Sequence, residues 1–232
     1  MPSNFALFFS ADICSSGAAI HSPALELGIS ELRFGGERKI NFSSMRSRSG
    51  RDNSPMARRL VLITGGARSG KSSYAEQCAR NLGERLVYVA TAEPNDQEMS
   101  QRIAEHRKRR GNEWITIEEP IEIAAALVAQ SGKTDCALVD CITLWLSNLL
   151  MRHEQKDAQE KVEELINSFG VLDFHLLLVT NEVGWGIVPD NALARQFRDL
   201  AGWTNQRIAA VADQVIVMVA GAPLTVKGQS CV

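Results

Sequence analysis

No apolar run in this sequence approaches the roughly 20 residues needed to span a bilayer. No charged-then-apolar layout of a signal peptide opens it either. Its five cysteines, Cys14, Cys78, Cys136, Cys141 and Cys231, include no CxxC pair and read as buried thiols of a cytoplasmic protein. Cys136 and Cys141 stand at odd spacing around one apolar run, which predicts side chains on opposite faces. Neither sign of charge is in excess. The net charge of −2 gives no global reason to expect nucleic acid or an acidic membrane surface as partner. There is no internal repeat. What remains is 232 residues, 45% of them hydrophobic, enough for one α/β domain with a terminal extension.

The extension is residues 1–57. It contains one short apolar stretch, Asn4 to Phe9, and a Ser- and Arg-rich segment from Ser43 to Pro55 without a periodic apolar face. That segment reads as disordered. Asp12, Glu26, Glu31 and Glu37 suit a transit peptide poorly, and Met56 stands directly before the first core strand. The expectation is a dispensable or mis-called extension, followed by one domain over 58–232.

Within that domain strands and helices alternate. The pattern predicts strands at 60–64, 86–91, 114–117, 137–140 and 176–180, with 215–219 as the last. It predicts helices at 71–82, 96–110, 121–130, 144–151, 158–167 and 192–212, with Asp96 as a cap. Strands apolar on both faces call for helices on both sides of a mostly parallel, doubly wound sheet.

The chain is organised around Gly65-Gly66-Ala67-Arg68-Ser69-Gly70-Lys71-Ser72, which fits G-x-x-x-x-G-K-[ST] between a strand and a helix. The glycines let successive N–H groups face a phosphate chain at a helix N-terminus. Lys71 is then placed for the β/γ-phosphates, and the Ser72 hydroxyl for Mg²⁺. A glycine-rich turn that merely carries a lysine is the bland alternative, and both flanks weigh against it. Cys136 to Asp140 is an apolar strand ending in a carboxylate, the form of a Walker B strand. Its Asp140 is expected beside the P-loop, as a second Mg²⁺ ligand directly or through water.

Two further stretches carry chemistry. In Arg102 to Arg110, His106 sits among five cations, with Arg102 and Arg109 on its helix face. One reading is a solvated basic face near a helix C-terminus. The other is a polyphosphate site in which cations disfavour a further positive charge and keep the imidazole a neutral nucleophile. The residues alone leave both open. Thr180 to Pro189 is a two-glycine loop at the carboxyl edge of the sheet, where open α/β folds bind ligands. Its Trp185 is either a packing anchor or a flat apolar surface for a large ligand. The helix beyond it carries Arg195, Arg198, Asp199, Asn205 and Gln206, more polar capacity than a covering helix needs.

Together these segments resemble the bifunctional adenosylcobinamide kinase / adenosylcobinamide-phosphate guanylyltransferase family. The match rests on Gly65–Ser72 (GGARSGKS), Tyr88–Thr91 (YVAT), the RIxxHR around His106, and Trp114 with Glu118-Glu119-Pro120. It continues through Val139–Leu149 (VDCITLWLSNL), Asn181–Pro189 (NEVGWGIVP) and Arg195–Gln206 (RQFRDLAGWTNQ). The resemblance runs from about Arg58 to Lys227 and leaves residues 1–57 outside. It implies a RecA-like P-loop fold and two reactions at one nucleotide site. ATP or GTP phosphorylates the aminopropanol hydroxyl of adenosylcobinamide; GTP then gives GMP to that phosphate through a GMP–histidine on His106. It also implies nucleotide contacts at Gly65 to Ser72, at Ala90, Thr91 and Ala92, at Arg107, Lys108, Arg109 and Arg110, and at Glu118 and Asp140. A homotrimer is implied too, with Trp185 or Trp203 as candidates to touch the corrinoid. A monofunctional P-loop kinase without a covalent nucleotide is the alternative. A GTP switch is a weaker one: Asp199-Leu200-Ala201-Gly202 spells DxxG, but inside a helical pattern and without NKxD.

Overall fold

A computed structural model describes residues 58–94, 97–152 and 155–229, apart from the side chains of Glu98, Met99, Arg102 and Arg109. The extension 1–57, the cap Asp96, Cys14, Cys231 and the helix-face contacts of Arg102 and Arg109 therefore lie outside the described residues.

The apolar runs become strands β1 (Leu60–Gly65), β2 (Leu86–Ala90), β3 (Trp114–Glu118), β4 (Cys136–Asp140), β5 (His175–Val179) and β6 (Gln214–Val219). Between them run helices α1 (Lys71–Leu82), α2 (Gln97–Arg110), α3 (Ile123–Val128), α4 (Ile142–Arg152), α5 (Gln155–Ser168) and α6 (Ala192–Val211). The strand order is β3-β2-β4-β5-β1-β6-β7, parallel throughout except for the last pair. Alternate residues of each strand feed two cores. Leu62, Val87, Val139 and Leu178 pack with α3, α4, α5 and α6 on one face. Val61, Ile63, Leu138 and Ile216 pack with Tyr74, Ala75, Cys78 and Ala79 of α1 on the other. The doubly wound α/β reading holds.

Three expectations are corrected. The strand at 214–219 is not the last: β7 (Ala222–Lys227) returns antiparallel beside it. Pro223 and an exposed, weakly alternating sequence hide this edge strand. Its turn places Ala220 and Gly221 at φ 50° and 86°, the left-handed pair a two-residue hairpin requires. Cys136 and Cys141 do not face apart but join the same core, since β4 and its alternation stop at Asp140. Helix α3 is shorter than the pattern suggests. The Glu119 carboxylate accepts from Ile121 N and Glu122 N before it begins, and a tight Leu127 O to Gln130 N turn follows it.

Candidate active site

The loop between β1 and α1 forms the floor of a cleft of about 700 Å³ at the carboxyl edge of the sheet. Ala67, Arg68, Ser69, Gly70, Lys71 and Ser72 line it. Gly65 has φ +141°, and a Cβ there would stand 2.5 Å from the Met218 carbonyl oxygen of β6, so this turn admits glycine alone. The β6–β7 hairpin supports the loop a second time, with Gly221 N donating to Ser69 O at 3.2 Å. The Lys71 side chain is buried. Its Nζ donates to the carbonyls of Gly65 (3.1 Å) and Gly66 (2.5 Å), curled toward the loop whose N–H groups would meet phosphate.

The opposite wall comes from α2, which brings Gln101, Glu105 and His106 into the cleft facing the P-loop. Asp140 and Cys141, from the end of β4, complete it. A narrower recess of about 60 Å³ adjoins the cleft and shares His106, Asp140 and Cys141 with it. Tyr88, Ala90, Ala92, Arg107 and Arg110 form its remaining polar and small-residue lining.

Arg110 is 3% exposed, and its guanidinium lies 3.5 Å from the centroid of the Tyr88 ring. Such a contact is both stacking and cation–π. The Tyr88 hydroxyl donates to Asp140 Oδ2 at 3.0 Å. Burial first, and then the Asp140 charge, push this phenol far above the usual tyrosine range, so it remains a donor at any ordinary pH. One carboxylate oxygen of Asp140 is thereby fixed in direction.

The sequence-predicted residues separate at this point. The P-loop, His106, Asp140, Ala90, Ala92, Arg107 and Arg110 meet around the two adjoining cavities. Thr91 is fully buried and lines neither. Its Oγ1 donates to Cys141 O and accepts from Cys141 N, each at 2.8 Å, which joins the ends of β2 and β4. Glu118 pairs with Arg107 at the surface, and Lys108 is exposed. The basic run after His106 thus spreads in several directions. Trp185 is 67% exposed, which removes the packing-anchor reading. Trp203 packs on the α3–α6 core and lines a groove with α5, not the cleft.

Sequence reasoning missed a polar network beneath the P-loop. Thr64 Oγ1 donates to Glu182 Oε1 at 2.6 Å, and Asn205 Nδ2 reaches the same oxygen at 3.3 Å. Thr180 Oγ1 donates to Asn205 Oδ1 at 2.9 Å and lies 3.3 Å from Thr143 Oγ1, which accepts from Asn181 N at 2.8 Å. Glu182, Asn181 and Thr143 all line the main cleft. The available signal was an Asn-Glu pair directly after an apolar strand.

This juxtaposition of P-loop, histidine helix and strand-end acid agrees with comparison against known proteins. Residues 61–226 match the family described as cobinamide kinase / cobinamide phosphate guanyltransferase. This chain belongs to that family. Among cobinamide kinase / guanyltransferase relatives, the bifunctional adenosylcobalamin biosynthesis protein CobP of Pseudomonas aeruginosa is 46% identical over 168 residues. That alignment covers 72% of this chain and 97% of the relative. The Salmonella typhimurium bifunctional protein CobU is 39% identical over 181 residues, covering 72% and 99%. A solved structure from Pyrococcus horikoshii superposes at TM-score 0.45 with 10% identity, covering 74% of this chain and 87% of that one, which is too loose to carry any inference. The family places a kinase and a guanylyltransferase on one P-loop domain, and the fold described above is such a domain.

Proposed function

We propose that this one cleft phosphorylates adenosylcobinamide and then guanylylates the product, with His106 as the covalent nucleophile. In the first step ATP or GTP lies with its β/γ-phosphates in the Gly65–Ser72 loop, and Lys71 turns from the Gly65 and Gly66 carbonyls to them. The aminopropanol hydroxyl of adenosylcobinamide attacks the γ-phosphorus, and the nucleoside diphosphate leaves. In the second step the His106 imidazole attacks the α-phosphorus of GTP, the bond to pyrophosphate breaks, and GMP is held on His106. The phosphate of adenosylcobinamide phosphate then displaces the imidazole, giving adenosylcobinamide-GDP. Arg107 and Arg110 stand beside His106 to receive charge developing on the phosphate oxygens. Ala90 and Ala92 are small side chains of the recess beside His106, where they would border the bound nucleotide. Thr91 contributes through wall structure, and Glu118 and Lys108 through surface charge.

Ser72 and Asp140 offer a hydroxyl and a carboxylate to the same cleft, hard oxygen donors suited to Mg²⁺. Among the described residues no group of three or more His, Cys, Asp or Glu could hold a metal. The ion would therefore enter with the triphosphate, whose oxygens and water complete its shell, and would offset phosphate charge during transfer. The described residues contain no helix long and apolar enough to cross a membrane. With the implied homotrimer and a cytoplasmic setting, the reading is of a biosynthetic transferase.

One observation carries this reading. His106 and Asp140 belong to both cavities, so a nucleotide whose phosphates rest on the P-loop extends toward the imidazole. The test is labelling with GTP radiolabelled at the α-phosphate, on the intact chain and on His106→Ala. Acid-labile, base-stable label is expected on the intact chain, with none on the variant, which still phosphorylates adenosylcobinamide. A folded, GTP-binding intact chain that takes no label would leave only the kinase.

A further inference from the structure

The mechanism above leaves two cleft-lining carboxylates, Glu105 and Glu182, without a task. Transfer to an alcohol requires the hydroxyl proton to go somewhere as the new O–P bond forms. The groups lining the cleft that could take it are Glu105, His106, Asp140 and Glu182. His106 is the guanylyl acceptor, and Asp140 has one oxygen committed to Tyr88 and serves the metal side. Glu105 is an exposed side chain on α2.

Glu182 differs from all three in its support. It follows β5, the strand paired directly with the P-loop strand, and its own N–H donates to the Gly65 carbonyl at 3.2 Å. Thr64 and Asn205 both bond its Oε1, and among the described residues nothing hydrogen-bonds Oε2. The groups behind it are buried: Thr64 at 4%, Thr180 at 0% and Asn205 at 8% exposure. A buried polar network is costly unless its members are satisfied. The net outcome here is one carboxylate with a fixed oxygen, and a second oxygen left to a cleft lined by Lys71 and Ser72.

We infer that Glu182 is the general base of the phosphorylation step, an inference that rests on the bifunctional reading of the cleft. The acceptor hydroxyl gives its proton to Glu182 Oε2 as its oxygen bonds to the γ-phosphorus. The bond from that phosphorus to the β–γ bridging oxygen breaks, and the nucleoside diphosphate leaves with the electron pair. Glu182 then returns the proton to water. Guanylylation of His106 needs no such base, so Glu182 divides the two activities of one site.

The experiment uses the full chain with Glu182→Gln. Glutamine keeps an acceptor oxygen for Thr64 and Asn205 and places an amide where the proton would go. The phosphorylation kcat should fall on the order of 100-fold while nucleotide KM stays within about 3-fold, as loss of a positioned base predicts. GMP labelling of His106, and GMP transfer to supplied adenosylcobinamide phosphate, should remain near the intact level. In Glu182→Ala, added formate should restore part of the phosphorylation. A kinase kcat in Glu182→Gln close to that of the intact chain overturns the assignment. So does an equal fall of phosphorylation and labelling, which would make Glu182 only a latch for the loop, or a folded Glu182→Ala that formate does not help. An intact chain that labels His106 but phosphorylates nothing would defeat the kinase reading itself, and the base assignment with it.

Discussion

The two ends of the single sheet treat their charged groups in opposite ways. At the amino end, where β2, β4 and β5 begin, Asp135, Arg58, Asp173 and His175 are tied to main chain. Asp135 accepts from Glu84 N (3.1 Å), Arg85 N (2.9 Å) and the Arg85 guanidinium (2.6 Å). Arg58 donates to the carbonyls of Phe169 and Leu172, Asp173 accepts from Gly132 N, and His175 Nδ1 accepts from Arg59 N. At the carboxyl end the acids are held by one oxygen only. Asp140 is held by Tyr88, and Glu182 by Thr64 and Asn205. A carboxylate bonded through both oxygens holds strands together. One bonded through a single oxygen is oriented and still available, and a ligand site needs that condition.

If this contrast is right, damage at the carboxyl end costs function first. The largest effect is expected from Gly65→Ala. Its Cβ would collide with the Met218 backbone oxygen in a conformation alanine rarely adopts. The loop must move, at a strain of about 1–3 kcal/mol, and nucleotide affinity should fall more than the melting temperature does. Calorimetric titration with GTP beside thermal denaturation reads both. An unchanged affinity would show that the loop geometry is not what binds phosphate.

A smaller effect is expected from Tyr88→Phe, which keeps the ring under Arg110 and removes only the hydroxyl that fixes Asp140. Loss of such an orienting partner predicts about a 10-fold fall in both transfer rates. Stability should change by only about 1 kcal/mol, the net worth of one hydrogen bond. Rates that hold while stability drops would place Tyr88 with the structural groups of the amino end.

The same contrast explains what could be read from sequence. The P-loop was legible because its octapeptide is contiguous and its function lies in its own backbone. The strand–helix alternation was legible because parallel strands buried on both faces are uniformly apolar. Glu182 was not. Its importance depends on β5 standing between β4 and β1, and an alternation of elements carries no strand order. Asp140 was legible because an apolar strand ending in a carboxylate is contiguous in sequence, and it does line the P-loop cleft. Strand β7 escaped because Ala220 occupies a left-handed turn position usually given to Asn, Asp or Gly, and because Pro223 argues against a strand. The basic helix α2 misled by composition. Its cations look alike in sequence, yet Arg110 is buried on an aromatic ring, Arg107 is paired with Glu118, and Lys108 is exposed.

The smallest effect belongs to the amino end and should leave the chemistry untouched. The Arg85 side chain, then the Arg85 and Glu84 N–H groups, hold Asp135 down to about 2 against an ordinary value of 3.8. A carboxyl whose folded-state pKa is depressed contributes stability above its unfolded value, and loses that contribution as pH falls through the folded one. Asp135→Asn should therefore be less stable than the intact chain at neutral pH. The difference should shrink between pH 4 and pH 2 and vanish below that window. The pair is partly open to solvent, with Arg85 58% exposed, so screening limits the difference to about 1 kcal/mol. Urea unfolding across that pH range measures it, and kcat at neutral pH should be unaltered. A gap that persists unchanged at pH 2 would mean that shape rather than charge makes Asp135 matter. A fall in kcat would mean that the two ends of the sheet are not independent.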